Sequence, residues 1–228
     1  MNQDCQFQSY SGSSASESSS LVHAVSSIFS NSFGINPKTR QPYRLGPKTT
    51  KKRLALAHRL FLASDEGGQP VGYCFATEIA SSLGSVGWID SLAVLPQHRR
   101  KGIGTRLVAN FAEHFSSVRW IGCATPNPIA ALVISKVVKG DLYIGECYPT
   151  EELVAMINDI RPLCRDLRGV DFNPDSLLVR TQFHPPDTGD NKEWCPPHPT
   201  EPPPWWSSLE NLPSQYEALL IVDKLHEN

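Results

Sequence analysis

Apolar and polar positions alternate along the chain with two periods, and together these periods predict a protein of mixed helices and strands. Short, nearly continuous apolar segments bounded by turn-forming residues are typical of buried strands. The chain contains six such segments, at residues 59–64, 71–79, 86–95, 118–124, 176–182 and 218–222. Only short turns separate the first three, so we expect them to be antiparallel neighbours.

Apolar residues spaced three and four positions apart predict amphipathic helices. This spacing occurs at residues 21–33, 103–115, 127–136 and 151–167. Residues 49–57 are ambiguous between a helix and a strand. Residues 36–47 contain three prolines and predict a loop, which either borders a substrate cleft or only connects two elements.

Composition separates the chain into three parts. Residues 1–19 are polar and rich in serine, which predicts a flexible tail. Residues 20–228 are expected to form a single domain. Within it, a segment at about residues 184–215 is rich in proline and contains three tryptophans, which we expect to pack against a sheet edge or at a dimer contact.

The overall charge is close to neutral, with 21 Lys and Arg against 23 Asp and Glu. Outside the cluster Arg99–Lys101 we expect no basic stripe, and therefore no nucleic-acid partner. No apolar run has transmembrane length, and the first residues lack the features of a signal peptide. These observations predict a cytoplasmic protein with no membrane partner.

The six cysteines are scattered without a C-x-x-C pair, which favours reduced, buried thiols over disulfides. Cys195 and His198, with His184 upstream, have the spacing of half a metal site. Because a second close pair is missing, we expect no bound metal.

The most informative segment joins the predicted strand at 86–95 to the predicted helix that follows it. The first N–H groups of a helix lack partners and lie at the positive end of its dipole, so they bind anions. Glycine leaves these groups open, while basic side chains and a hydroxyl add further donors. The turn supplies all of these features in the sequence Arg99, Arg100, Lys101, Gly102, Ile103, Gly104 and Thr105, and it predicts a site for a diphosphate.

The pattern of this turn is neither a P-loop nor a dinucleotide fingerprint. Arg99-x-x-Gly102-x-Gly104 follows shortly after an apolar strand that ends in Leu92-Ala93-Val94, and it resembles the acetyl-CoA signature of the GNAT superfamily of N-acyltransferases. The resemblance implies an α/β fold whose central, mostly antiparallel sheet splays between strands 4 and 5 and is flanked by helices. It also implies an N-acetyltransferase that uses acetyl-CoA, with Leu92, Ala93 and Val94 beside the pantetheine arm.

Residues further along the chain extend the resemblance. Asn127 matches an asparagine that contacts the pantetheine arm in the family, although capping of the next helix explains it equally well. The family frequently has a tyrosine seven residues later, which protonates the leaving thiolate, but here that position is Ile134. Tyr143 or Ser135 is the expected substitute.

An amine acceptor has a pKa near ~10, so it must lose a proton before it attacks the thioester. Asp90 is the expected base or water-orienting group because it lies on the strand that leads to the cofactor turn, and Glu78 is the reserve. A backbone N–H near Ala93 or Val94 would meet the oxyanion. An aspartate on an apolar strand can instead have a binding or structural role.

Two alternatives remain open at this point. The missing tyrosine is compatible with a non-catalytic acyl-CoA sensor, and the segment rich in proline and tryptophan is compatible with an interaction module. In the family the last strands flank the acceptor site, so that segment is also a candidate wall or lid. The expected acceptor is a small-molecule amine or a peptide amine, and the expected state is a monomer or homodimer.

Overall fold

A computed structural model describes residues 5–36, 38–144, 150–181, 201–213 and 215–224. The strands in these ranges are β1 Gln6–Ser11, β2 Arg59–Ser64, β3 Pro70–Ser81, β4 Gly84–Val94, β5 Trp120–Thr125, β6 Asp141–Ile144, β7 Asp171–Asn173, β8 Leu178–Arg180 and β9 Tyr216–Asp223. The helices are α1 Gly12–Glu17, α2 Ser19–Ser32, α3 Pro47–Leu56, α4 Ile103–His114, α5 Pro128–Val137, α6 Glu151–Ile160 and α7 Trp206–Glu210.

The strands follow the order β1-β2-β3-β4-β5-β9-β8-β7, and β6 also pairs with β9. The pair β4–β5 is parallel, and its ladder joins Val86–Trp88 to Trp120–Gly122. The other pairs with a described register are antiparallel. A mostly antiparallel sheet flanked by helices confirms the predicted α/β fold class.

The chain divides into two compact units. The first unit comprises Met1–Thr77 and Ile89–Ser116, and the second comprises Glu78–Trp88 and Ser117–Asn228. The prediction of one domain over residues 20–228 stays a prediction.

In the first unit, helices α2 and α3 pack with β2 and β3 around buried apolar side chains such as Val25, Leu54, Leu60 and Tyr73. Helix α2 has its predicted apolar face, and it begins after Ser18, whose side chain accepts a hydrogen bond from the N–H of Leu21.

In the second unit, the buried face of α6 packs on Trp88, Trp120 and Ile221. Gly122 permits this packing, because a Cβ there would lie 2.8 Å from both the Trp88 ring and the Ile221 side chain. At the edge of this core, Arg119 donates to Asp223 at 2.8 Å and to Glu152 at 2.6 Å.

The predicted flexible tail at residues 1–19 is wrong for residues 6–17. Strand β1 pairs along its whole length with β2, from Gln6 opposite Ser64 to Ser11 opposite Arg59. The Ser11 side chain then caps α1. Gly12 packs so closely that a Cβ would lie 1.8 Å from the carbonyl oxygen of Ala57. Backbone pairing leaves the polar side chains of β1 largely exposed, so the composition gave no sign of order.

Other predicted boundaries change less. Residues 49–57 are helical, as part of α3, and the helix predicted at 151–167 ends at Ile160. Strands β6 and β7 had no predicted counterpart. Within the part of the chain that has coordinates, no helix is both long and apolar enough to cross a bilayer.

Of the segment predicted at 184–215, the described part contains α7, whose Trp206 is buried as expected. Residues 182–200 lie outside the described ranges. The proposed half metal site and Trp194 fall among them.

Candidate functional site

The turn before α4 has the backbone shape that its glycines predict. Gly102 caps the helix with φ 78° and ψ 0°, in the left-handed region, and no side chain occupies the cap. A Cβ at Gly102 would have no heavy atom within 4 Å. The first helical bond runs from the N–H of Arg106 to the Gly102 carbonyl, so the N–H groups of the first turn precede the helical hydrogen bonds.

The surroundings of the turn are open and positively charged. A Cβ at Gly104 would meet its nearest neighbour, the Val94 side chain, only at 4.0 Å. Arg100, Lys101 and Thr105 are exposed, while Ile103 is buried and anchors the turn. The first turn of α4 is therefore accessible to an anion.

Arg99 has a structural role in the turn. Its Nε donates to the carbonyl oxygen of Val94 at 3.1 Å, and its Nη2 donates to that of Ser32 at 2.7 Å. Ser32 is the last residue of α2, where a cation also interacts favourably with the helix dipole. Arg99 thus ties the turn to the end of β4 and to the end of α2.

The predicted pantetheine strand is held by close packing of β3. A Cβ at Gly72 would lie 3.1 Å from the carbonyl oxygen of Ala93 and 3.2 Å from the Val94 side chain. Ala93 is buried, whereas Leu92 and Val94 are half-buried. Glycine at position 72 therefore lets β3 approach this part of β4.

Strand β4 is irregular just before this segment. Thr77 and Tyr73 are four residues apart, so they lie on one face of β3. Thr77 donates to Asp90 at 2.6 Å, and the Tyr73 hydroxyl lies 3.0 Å from the Ser91 hydroxyl. Consecutive residues of a regular strand point to opposite faces, so contact with one face of β3 indicates a bulge at residues 90–91.

Asp90 is half-buried, and Thr77 fixes one of its carboxylate oxygens. Glu78, the reserve candidate, is exposed on β3. The bulge and the bond from Thr77 make Asp90 the better positioned carboxylate of the two.

The remaining predicted site residues belong to the second unit. The Asn127 side-chain oxygen accepts a bond from the N–H of Ile129 at 2.9 Å, which confirms the predicted cap of α5. Its Nδ2 takes no part in that bond. Tyr143 is half-buried, lies opposite Ile221 and packs on the core of this unit. Ile134 is buried, with 1% of its surface exposed.

One titratable residue of the second unit had no signal in the sequence. The pKa of Glu217 is raised to about 7, mainly by burial; a hydrogen bond from Thr181 lowers the pKa, and the negative charge of Asp166 adds to the rise. Glu217 lies at the start of β9, opposite Val179. In the sequence it reads only as a polar residue before an apolar strand.

Three of the four described cysteines behave as packing residues. Cys74, Cys123 and Cys164 are buried, and burial raises the pKa of the Cys123 thiol, which keeps it protonated. Among residues with described positions, no group of His, Cys, Asp and Glu is arranged to hold a metal. Cys147 and Cys195 lie outside the described ranges.

Part of the chain matches a known family of acetyltransferases. Residues 22–134 match the family model described as Acetyltransferase (GNAT) family. This match confirms the class of enzyme predicted from the sequence and agrees with acetyl-CoA as the acyl donor.

Solved structures share the fold at low sequence identity. A glucosamine N-acetyltransferase region of a fungal multi-domain β-N-acetylglucosaminidase has 18% identity and a TM-score of 0.50, and the match covers 71% of this chain and 21% of the fungal chain. This chain therefore spans about a fifth of that protein.

Two further structures are similar at lower TM-scores. Arylalkylamine N-acetyltransferase 2 from Aedes aegypti has 11% identity and a TM-score of 0.48, covering 67% of this chain and 91% of its own. Phosphinothricin acetyltransferase from Sinorhizobium meliloti, solved with acetyl-CoA, has 14% identity and a TM-score of 0.46, covering 65% of this chain and 82% of its own. No curated protein sequence matches the chain.

Proposed function

We propose that the protein is an N-acetyltransferase that transfers the acetyl group of acetyl-CoA directly to a primary amine. The observation that carries this proposal is the turn before α4, where the left-handed Gly102 leaves the first N–H groups of the helix accessible. Such a helix start accommodates the diphosphate of coenzyme A.

Each part of the turn has a role in this proposal. The N–H groups of Ile103, Gly104 and Thr105 bind the diphosphate oxygens, and the exposed Arg100 and Lys101 add positive charge. Arg99 acts mainly by holding the turn between β4 and α2. The pantetheine arm runs along Leu92, Ala93 and Val94. A contact between Asn127 and coenzyme A stays a prediction from the resemblance.

The amine reaches the thioester in its neutral form after Asp90 accepts its proton, directly or through a water molecule. The neutral nitrogen attacks the thioester carbon, and the N–H of Ala93 or Val94 stabilises the oxyanion that forms. The intermediate then expels the thiolate of coenzyme A, and Tyr143 stays the predicted proton donor. No covalent enzyme intermediate is needed.

A second candidate function rests on Ile134. This buried, apolar side chain stands where the family frequently has the tyrosine that protonates the thiolate. A protein that binds acyl-CoA without transferring the acetyl group is therefore the alternative.

The experiment compares the wild type with Asp90→Asn, using acetyl-CoA, a panel of primary amines and detection of released thiol. We expect the rate to fall by about 10²- to 10⁴-fold, which is typical for loss of a general base, while the Kd for acetyl-CoA is unchanged. Asp175→Asn, which changes an exposed aspartate of the second unit, is the matched control. An unchanged rate in Asp90→Asn would remove Asp90 from the mechanism. Saturable binding without thiol release in the wild type would favour the non-catalytic alternative.

A further inference from the structure

We propose that the acceptor carries negative charge close to its amine, and that exposed cations on α3 and on the loop before it recognise that charge. The inference rests on the proposed N-acetyltransferase function and adds the class of acceptor. The cations, here called the basic segment, are Lys38, Arg40, Arg44, Lys48, Lys51 and Lys52.

The sequence concentrates positive charge in this part of the chain. Between Glu17 and Asp65 there are eight Lys and Arg residues and no Asp or Glu. The first unit contains 12 basic and six acidic residues, whereas the second contains nine basic and 17 acidic residues. The net charge of −2 is therefore a cancellation, and the expectation of no basic stripe beyond Arg99–Lys101 is wrong.

The loop that carries the first cations is ordered by its own hydrogen bonds. The N–H of Tyr43 donates to the carbonyl of Gly34 at 3.0 Å, and the Asn36 side chain accepts from the N–H of Lys38 at 2.9 Å. Both Lys38 and Arg40 are exposed. The loop therefore presents two cations from a defined backbone.

Helix α3 presents three more cations on its outer side. Thr50 and Leu54 are fully buried, whereas Lys48, Lys51 and Lys52 are exposed. Lysines three and four positions apart lie on one face of a helix, where their like charges repel each other. None of the six cations forms an ion pair with any residue whose position is described. A bound anion would relieve this repulsion.

The loop that carries the first cations follows α2, and the end of α2 contacts the proposed cofactor turn. Arg99 donates to the carbonyl oxygen of Ser32 at 2.7 Å. Two residues further along, the carbonyl oxygen of Gly34 accepts the hydrogen bond from Tyr43 that closes the loop. In the proposed function the turn itself binds the diphosphate of coenzyme A, which leaves the cations of the basic segment to attract a second anion. An amine that also carries a carboxylate or a phosphate fits this arrangement.

Two pairs of acceptors separate charge from shape. One pair is a short peptide with glutamate at its second and third positions and the same peptide with glutamine. The other pair is phosphoethanolamine and ethanolamine, which tests phosphate instead of carboxylate. The variants are K38Q/R40Q and K48Q/K51Q/K52Q, and K139Q/R180Q is the control because it removes exposed cations from the acidic unit.

We expect kcat/KM for at least one anionic acceptor to exceed that of its neutral partner by about tenfold in low salt. Each basic-segment variant should lower that value about 5- to 20-fold, mainly through KM, without changing kcat/KM for the neutral acceptor. The control variant should have the same kcat/KM as the wild type for both acceptors. The preference should shrink in 0.5 M salt, where exposed charges are screened.

Equal use of charged and neutral acceptors in both pairs would overturn the inference and leave the proposed function intact. An equal loss of affinity for acetyl-CoA in the variants would assign the cations to the donor and also overturn it. If no amine is acetylated, the inference is tested by the binding of a fluorescent form of the glutamate peptide in the presence of coenzyme A. Binding that the basic-segment variants abolish supports the inference although the proposed function has failed. Absence of binding, or tighter binding of a single-stranded oligonucleotide of equal charge, contradicts it.

Discussion

Asp90 and Arg99 are side chains whose type was evident in the sequence but whose partners were not. The sequence places Asp90 on an apolar strand, and the structure adds a bond from Thr77 and a bulge that moves it out of regular alternation. Arg99 was predicted to bind phosphate, yet two carbonyl oxygens hold it in place. Such partners lie on distant segments, so local spacing does not reveal them.

Glu217 leads to a prediction about pH. Because its pKa is raised from 4.5 to about 7, the folded protein binds this proton more tightly than the unfolded chain. Stability from this group is fully present below pH 4.5 and is lost as the pH rises to about 7. We expect Glu217→Gln to be more stable than the wild type by about 3 kcal/mol at pH 8, with little difference at pH 4.

Urea unfolding of both proteins between pH 4 and pH 8 measures this difference. Glu201→Gln, which changes an exposed glutamate, is the control and should follow the wild type. A difference that does not vary with pH would show that Glu217 titrates normally.

At the scale of elements, the segments with strong apolar patterns were predicted best. Strand β2 has its predicted bounds, and α4 begins where its glycines indicated. Strands β1, β6 and β7 were missed because they are short or polar and depend on pairing with strands distant in sequence. Hydrophobic periodicity reports a buried face, and a strand without one leaves no such signal.

The start of α4 gives a prediction that separates binding from stability. Gly104→Ala adds a helix-favouring residue without a close contact, so we expect a gain of up to about 1 kcal/mol. Gly102→Ala places alanine at φ 78°, which should cost about 1 kcal/mol. Both methyl groups occupy the approach to the open N–H groups, so both should weaken acetyl-CoA binding about tenfold or more. Thermal unfolding and calorimetric titration measure the two effects.

We expect Gly104→Ala to raise stability and Gly102→Ala to lower it, whereas both variants should weaken acetyl-CoA binding. If Gly104→Ala binds acetyl-CoA as tightly as the wild type does, the first turn of α4 is not the diphosphate site. A loss of stability in Gly104→Ala would instead point to an unrecognised packing role.

The start of α5 gives a second prediction at this scale. Asn127→Ser keeps a good cap, whereas Asn127→Ala should lower the free energy of unfolding by about 1 kcal/mol. If the Asn127 side chain also binds the pantetheine arm, both variants should raise the Kd for acetyl-CoA to a similar extent. An unchanged Kd in Asn127→Ser would leave Asn127 with capping alone.

At the scale of the whole molecule, composition hid an uneven distribution of charge. The first unit, which contains the turn before α4, is basic, and the second is acidic, although the total is −2. A total charge does not describe the field near a site, because exposed charges act within about 10 Å at ordinary salt. The family and the cofactor turn were predictable because one short segment specifies them, whereas the acceptor depends on surfaces built from several elements.

The most direct measurement is a calorimetric titration of the wild type with acetyl-CoA, repeated with Gly104→Ala. We predict saturable binding of one acetyl-CoA per chain, weakened about tenfold or more in the variant although its fold is at least as stable. Absence of saturable binding at millimolar acetyl-CoA, or equal binding by both proteins, would contradict the assignment of this helix start as the cofactor site.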